Sequence, residues 1–246
     1  MVTDNSVRKI HMKNFSTLFL LILLLLGCSS NESTNGQLRR IIFFGDSITE
    51  LGVKPDGYVS IVRDSLRAAG IDAEIIGAGI SGNKVTDLQA RMKTDVLEKR
   101  PGIVVIYIGI NDVWHYQFSD RGLSGTPKET YHTVLSGIIA DIQQAGSVVV
   151  LCTPSVIGEK HDGTNRWDAM LDDYSAISRE IAQERSCVLL DLRKDFLIHL
   201  AENNPDNAEK NILTYDGVHL NDRGNRFVAA RMFSALDGLG LFSPRH

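Results

Sequence analysis

Ile103-Val104-Val105-Ile106-Tyr107-Ile108 runs straight into Gly109-Ile110-Asn111-Asp112. The first six residues are apolar at both parities and mostly β-branched. Such a run has no solvent face, which suits a strand with helices covering both sides of a parallel sheet. Pro101-Gly102 breaks the segment before it, a helix predicted over 85–98 with Leu88, Met92 and Val96 recurring at spacing four. Further upstream, 40–44 reads as a buried first strand and 73–78 as a second. Between them, 58–69 reads as a helix with Val59, Val62 and Leu66 on one face and Gly70 as its stop.

Downstream, Thr126-Pro127-Lys128-Glu129 reads as a capping box with proline at the first helical position, opening a helix that runs to Gln144 and ends at Gly146. A fourth strand over 147–152 follows, then a helix over 166–184, a fifth strand over 187–190 and an amphipathic segment over 194–202. Asn221 is the expected cap of a last helix reaching Leu236. Repeated β–α alternation implies right-handed crossovers. The expectation is one α/β domain over 38–246, a flavodoxin-like doubly wound sheet of five parallel strands with helices on both faces.

Residues 18–26 are wholly apolar, too few for a membrane span of about 20 residues but right for the core of a secretory signal. Leu25-Leu26-Gly27-Cys28 looks like a bacterial lipobox, which makes Cys28 the lipidation candidate, 1–27 a signal peptide and the polar stretch 28–37 a tether. Residues 1–11 are polar and include Asp4, whereas Met12-Lys13-Asn14 makes a normal basic start, so translation is expected to begin at Met12. Ser29, with no aspartate there, fits onward transfer to the outer membrane in a Gram-negative cell. The expected address is the bacterial cell envelope, with membrane contact through the lipid anchor only.

Hydrophobic content of 43% and charged content of 23% are ordinary for a globular chain. Net charge is −4, and the leader holds Arg8, Lys9 and Lys13 against Asp4, so the remainder stands at −6. That balance argues against a nucleic-acid partner. Cys152 falls late in its strand and Cys187 at the start of the next. Parallel neighbours would set them roughly 13 Å apart along the strands, beyond disulfide reach, so two buried free thiols are expected.

Ligands of doubly wound sheets bind outside the carboxyl ends of the strands. Four segments fall there: Gly45-Asp46-Ser47-Ile48-Thr49, Ser81-Gly82-Asn83, Gly109-Ile110-Asn111-Asp112 and Asp216-Gly217-Val218-His219. Taken singly, each is ordinary turn chemistry. Taken together they supply the parts of acyl transfer: Ser47 as nucleophile, His219 as base, Asp216 to orient the imidazole, and the Ser47 N–H, the Gly82 N–H and the Asn111 amide as oxyanion donors. Asp46, Asn83 and Asp112 are expected to brace loops; Trp114 and His115 either line the acyl or leaving-group pocket or, in the alternative reading, the tryptophan closes the loop over the core. No His-Glu-x-x-His, Walker loop or Gly-x-Gly-x-x-Gly is present, so no metal, nucleotide or other cofactor is inferred.

The four segments resemble the signature blocks of the SGNH (GDSL) esterase and lipase family, over almost all of the chain after the leader. The resemblance implies a serine esterase working through an acyl-enzyme, on acetylated carbohydrate, lysophospholipid, acyl thioester or aryl ester. The absence of a long apolar lid segment favours short acyl groups, and acetyl esters on polysaccharide suit a surface-tethered enzyme. A lysophospholipase or thioesterase is the alternative acyl hydrolase. A metal-dependent phosphoesterase built on Asp46, Asn111 and His219 would lack the clustered ligands it needs. A non-catalytic glycan-binding lipoprotein would have no use for an intact triad.

Overall fold

Ile41, Ile42, Phe43, Phe44, Ile103, Val104 and Ile106 are all fully buried. The two strands that carry them therefore sit at the middle of the sheet, covered on both faces. In the computed structural model the described residues are Met1 and 40–240. The expected signal after Met1, Cys28 and the expected tether lie outside them. Strands β1 (Arg40–Gly45), β2 (Glu74–Gly79), β3 (Ile103–Tyr107), β4 (Val148–Cys152) and β5 (Val188–Leu190) form one sheet in the order β2-β1-β3-β4-β5. All neighbours run parallel, the flavodoxin-like order expected.

Helices α1 (Ser47–Gly52), α2 (Tyr58–Ala68), α3 (Val85–Asp95), α4 (Ile110–Trp114), α5 (Lys128–Gln144), α6 (Asp168–Glu184), α7 (Leu192–Asn203) and α8 (Asp222–Asp237) fill the connections. α2 packs on α8, while α5 packs on both α3 and α6. Right-handed crossovers put α2 on the face opposite α3, α5 and α6, because the order of connection reverses at β1, and α8 joins α2 by packing on it. The register matters for function. Gly45, Gly79 and Tyr107 share one rung, so the chain leaves β1, β2 and β3 at the same level of the same edge. Among the described residues, no helix is long and apolar enough to cross a membrane.

Local departures from expectation have local causes. The Thr126 capping box does not form: α5 starts at Lys128, Pro127 occupies the cap position, and the Thr126 side chain makes no cap bond. Thr126 is instead buried, and its N–H donates to the Asp112 carbonyl at 2.9 Å. α3 stops at Asp95 because Val96 turns inward to full burial at φ −126°, and a short 3₁₀ turn, Leu97–Lys99, follows. α6 begins two residues later than expected, and α7 two earlier, at Leu192, where Asp191 accepts from the Lys194 N–H. Asn221 caps α8 as expected, accepting from the Arg223 and Gly224 N–H groups. Cys152 and Cys187 are free thiols, but only Cys152 is buried. Cys152 pairs with Leu190, three residues beyond Cys187, an offset of about 10 Å along the strands.

One charged side chain belongs to the core. Arg193 is 1% exposed, and its guanidinium donates to Asp168, Asp172 and the Ser155 carbonyl at 2.8, 2.8 and 3.1 Å. It joins the start of α6 to the segment leaving β4, and complete pairing is what makes such burial tolerable.

Candidate active site

The turn out of β1 is tight. A Cβ on Gly45 would lie 2.4 Å from both the Thr49 hydroxyl and the Tyr107 carbonyl, so only glycine fits. Asp46 then caps α1, its carboxylate accepting from the Ile48 N–H at 2.9 Å. Ser47, half-buried, is the first residue of that helix, and its N–H has no carbonyl partner within it. Its hydroxyl lies 2.9 Å from His219 Nε2. On the other side of the ring, His219 Nδ1 lies 2.7 Å from Asp216 Oδ2. Asp216 Oδ1 accepts from the Val218 and His219 N–H groups at 2.9 and 2.8 Å, which fixes the carboxylate. Partial burial opposes the charge of Asp216, but the hydrogen bonds from His219 and Val218 outweigh it and hold its pKa below the ordinary value. The imidazole is also held between aromatic rings. Tyr215 stacks on it at 5.7 Å and Trp114 meets it edge-on at 6.4 Å.

The chain leaving β2 and β3 carries two further amides of interest. Gly82 sits at φ +78° with open space where a side chain would be. The Asn111 amide is 4% exposed, and one of its N–H groups donates to the Asn83 carbonyl at 3.0 Å. Its second N–H is left for a ligand. Asp112 accepts from the Val85 N–H through both oxygens, at 3.1 and 3.2 Å. The Ser81 N–H and hydroxyl both donate to Glu50 at 2.5 Å, tying the Gly82 turn to α1. Those bonds hold the Glu50 carboxyl below its ordinary pKa. A serine, a histidine and an aspartate in one hydrogen-bonded line thus stand at the edge of the sheet where β1, β2 and β3 end.

Residues 43–227 match the model of the GDSL-like lipase/acylhydrolase family. The chain belongs to that family. It is a carboxylic ester hydrolase, similar to several named esterases. An acetylxylan esterase of Geobacillus stearothermophilus is 30% identical over 209 residues, covering 79% of this chain and 92% of that protein. The lipoprotein YqeF of Bacillus subtilis (strain 168) is 24% identical over 245 residues, 88% of this chain and 95% of that one. The solved structure of the acetyl xylan esterase AlAXEase superposes with a TM-score of 0.77 at 47% identity, over 80% of this chain and 98% of that one.

Within this family member, Ser47, His219 and Asp216 form one hydrogen-bonded line, and Asn111 bonds Asn83 in the turn that holds Gly82. Of the two candidate pocket residues, Trp114 reaches His219 and lines a groove beside Asp216. His115 does not line that groove. It is buried against Phe118, with Nδ1 unpartnered and burial lowering its pKa. For a metal, His132, Glu180 and Glu184 offer ligand atoms within 4.8 Å of one another, the two glutamates exposed, on α5 and α6. They stand apart from the triad, and His132 Nε2 lies 3.6 Å from Glu184.

Two charged residues that hold the site carried no motif. Arg91, on α3, donates to the Asn83 side chain, the Ala78 carbonyl and the Gly45 carbonyl at 2.7, 2.9 and 2.7 Å, and lies over the Phe44 ring. One guanidinium therefore fixes the exits of β1 and β2 and the turn after β2. Glu159, fully buried, accepts from the N–H groups of Ile212, Leu213 and Thr214, each at 2.7 Å. The Gly158 N–H donates to the Gly217 carbonyl, also at 2.7 Å. Together these bonds pin the loop that delivers Asp216 and His219.

Glu159→Gln puts an amide N–H₂ where one of those N–H donors now finds an oxygen. It is expected to cost about 1–3 kcal/mol in denaturant unfolding and to lower kcat for p-nitrophenyl acetate by roughly tenfold or more. A less stable variant with wild-type kcat would mean the loop keeps its place without this carboxylate.

Burial, helped by the charge of Asp112, raises the Asp46 pKa from 3.8 to about 7. Burial likewise raises that of Asp112 to about 6. As pH climbs, the unfolded chain sheds the Asp46 proton first, so this group's contribution to stability falls between about pH 4 and 7 and is level above. Asp46→Asn removes the titration and keeps an oxygen for the cap. Its stability relative to wild type should therefore rise across that window, on the order of a few kcal/mol in urea unfolding at graded pH. A difference independent of pH would place the carboxyl in a more polar setting.

Proposed function

We propose that this chain is an exported serine esterase that removes acetyl groups from carbohydrate. The observation that carries the reading is the unbroken line Ser47 Oγ–His219 Nε2, His219 Nδ1–Asp216 Oδ2, at 2.9 and 2.7 Å. Similarity to acetylxylan esterases supports the acetyl and sugar halves of the substrate. Ser47 Oγ attacks the acetyl carbonyl carbon while its proton passes to His219 Nε2. Asp216 steadies the imidazolium. The carbonyl oxygen, now an oxyanion, is met by the Ser47 N–H, the Gly82 N–H and the free Asn111 N–H. Collapse expels the sugar oxygen, which takes the proton from His219, and leaves acetyl on Ser47. Water, giving its proton to His219, then attacks that acetyl. Acetate leaves and Ser47 recovers its proton.

The domain organisation proposed is a signal peptide over 1–27, a tether over 28–37 lipidated at Cys28, and the hydrolase domain over 38–246. A compact unit spanning Gln37–His246 and the likeness to a B. subtilis lipoprotein support it. An envelope enzyme of this kind meets polysaccharide outside the cell. In a Gram-negative host, Ser29 favours the outer membrane.

Ser47→Ala should fold as wild type and lose ester hydrolysis by a factor of about 10⁴ or more. A fluorophosphonate should label wild type and spare the variant. Labelling of the variant at another serine would remove Ser47 from the nucleophile's role. Cys28→Ser should abolish incorporation of a clickable fatty acid in a host competent for lipoprotein processing, with no loss of acetylesterase activity. Equal incorporation in both forms would leave Cys28 as a residue beside an ordinary signal.

A further inference from the structure

A groove of about 440 Å³ adjoins the triad on the Asp216 side, lined among others by Trp114, Lys160, Arg166, Trp167, Glu209 and Asp216. That is within the range of small-ligand sites, about 300–1,000 Å³. Trp114 is shared by the groove and the triad, since the same ring meets His219. Among the described residues, the side chains of Lys160, Arg166 and Glu209 take part in no hydrogen bond or ion pair. Arg166 rests over the Trp167 ring at 4.4 Å, which steadies its guanidinium without using its N–H groups. Three ionised side chains thus border one groove with their hydrogen-bonding capacity unspent.

Their chemistry narrows the occupant. An acyl chain gains nothing from two cations and a carboxylate. A carboxylated ligand would satisfy Arg166 and Lys160 but meet Glu209 and Asp216. A neutral polyol offers each hydroxyl as donor and acceptor at once, and so can serve Lys160, Arg166 and Glu209 together. We infer that this groove binds a neutral sugar unit next to the acetylated one, with Lys160, Arg166 and Glu209 as its hydrogen-bonding contacts. The inference rests on the carbohydrate reading above. It places the alcohol half of the ester on the Asp216 side and makes chain length of the glycan a determinant of rate.

The test compares the full enzyme on p-nitrophenyl acetate, acetylated xylose and acetylated xylotriose. In wild type, kcat/KM should be higher for the trisaccharide than for the monosaccharide. Arg166→Ala and Glu209→Gln, both exposed positions, should each lower the ratio of kcat/KM on the trisaccharide to that on p-nitrophenyl acetate by about tenfold, chiefly through KM, as loss of one charge-assisted hydrogen bond implies. A wild-type preference near one, or variants that lower all three substrates alike, would overturn the subsite and leave the esterase standing. Wild type that cleaves p-nitrophenyl acetate but neither sugar would overturn the carbohydrate reading, and the groove assignment with it.

Discussion

A buried carboxylate with three backbone amides around it is the constraint on which the site hangs. The segment 204–221 has little regular structure, yet it must hold Asp216 against His219 and bring His219 to within hydrogen-bond range of a serine on another element. Glu159 makes that possible by collecting three successive N–H groups that a loop cannot satisfy among themselves. The Asn204 side chain extends the same clasp, donating to the carbonyls of Glu159 and Ala208. The desolvation cost of an isolated carboxylate would be severe, but three charge-assisted hydrogen bonds convert the burial into a rigid mount.

Arg91 does the complementary work where β1 and β2 end. Its donors reach two strand exits and the Asn83 side chain, and Asn83 in turn accepts from Asn111 through its carbonyl. The donor geometry proposed for an oxyanion has to exist before the charge develops, and the turns around it are fixed by a planar fork with four separate acceptors, Asp95 among them. Lysine, a single point of charge on a flexible stem, has no equivalent arrangement.

Much of the architecture was legible before any coordinates because its signals are local. Strands buried on both faces read as continuous apolar runs, as in 103–108, and helices showed their spacing of four, as at Leu88 and Met92. The four segments of the site could be placed because each follows a strand or precedes the last helix. Arg91, Glu159 and Arg193 were not legible. Apart from the Arg91–Asp95 pair one helical turn apart, they spend their charge on backbone groups or on side chains further along the sequence, and any residue supplies a backbone amide or carbonyl, so no residue pattern marks the partner. The capping box at Thr126 failed for a related reason: a correct local motif lost to a tertiary hydrogen bond from the same residue to Asp112. His115 turns to the core rather than to the groove, since adjacency in sequence to Asn111 and Trp114 says nothing of the side a short helix buries.

Ser47 and His219, the base proposed for it, are separated by 172 residues, and the bond between Tyr58 N–H and the Asn225 side chain spans 167. Neither can exist until the end of the chain has returned to its beginning. A nascent or partly folded polypeptide therefore carries a serine with no base beside it, chemically as inert as any other alcohol. Long-range closure of this kind is slow compared with helix formation, so catalytic competence arrives late and all at once. Turnover in this protein is in effect a gauge of completed topology, and a fragment or a misdocked last helix should pass through the cell without acting on any ester it meets.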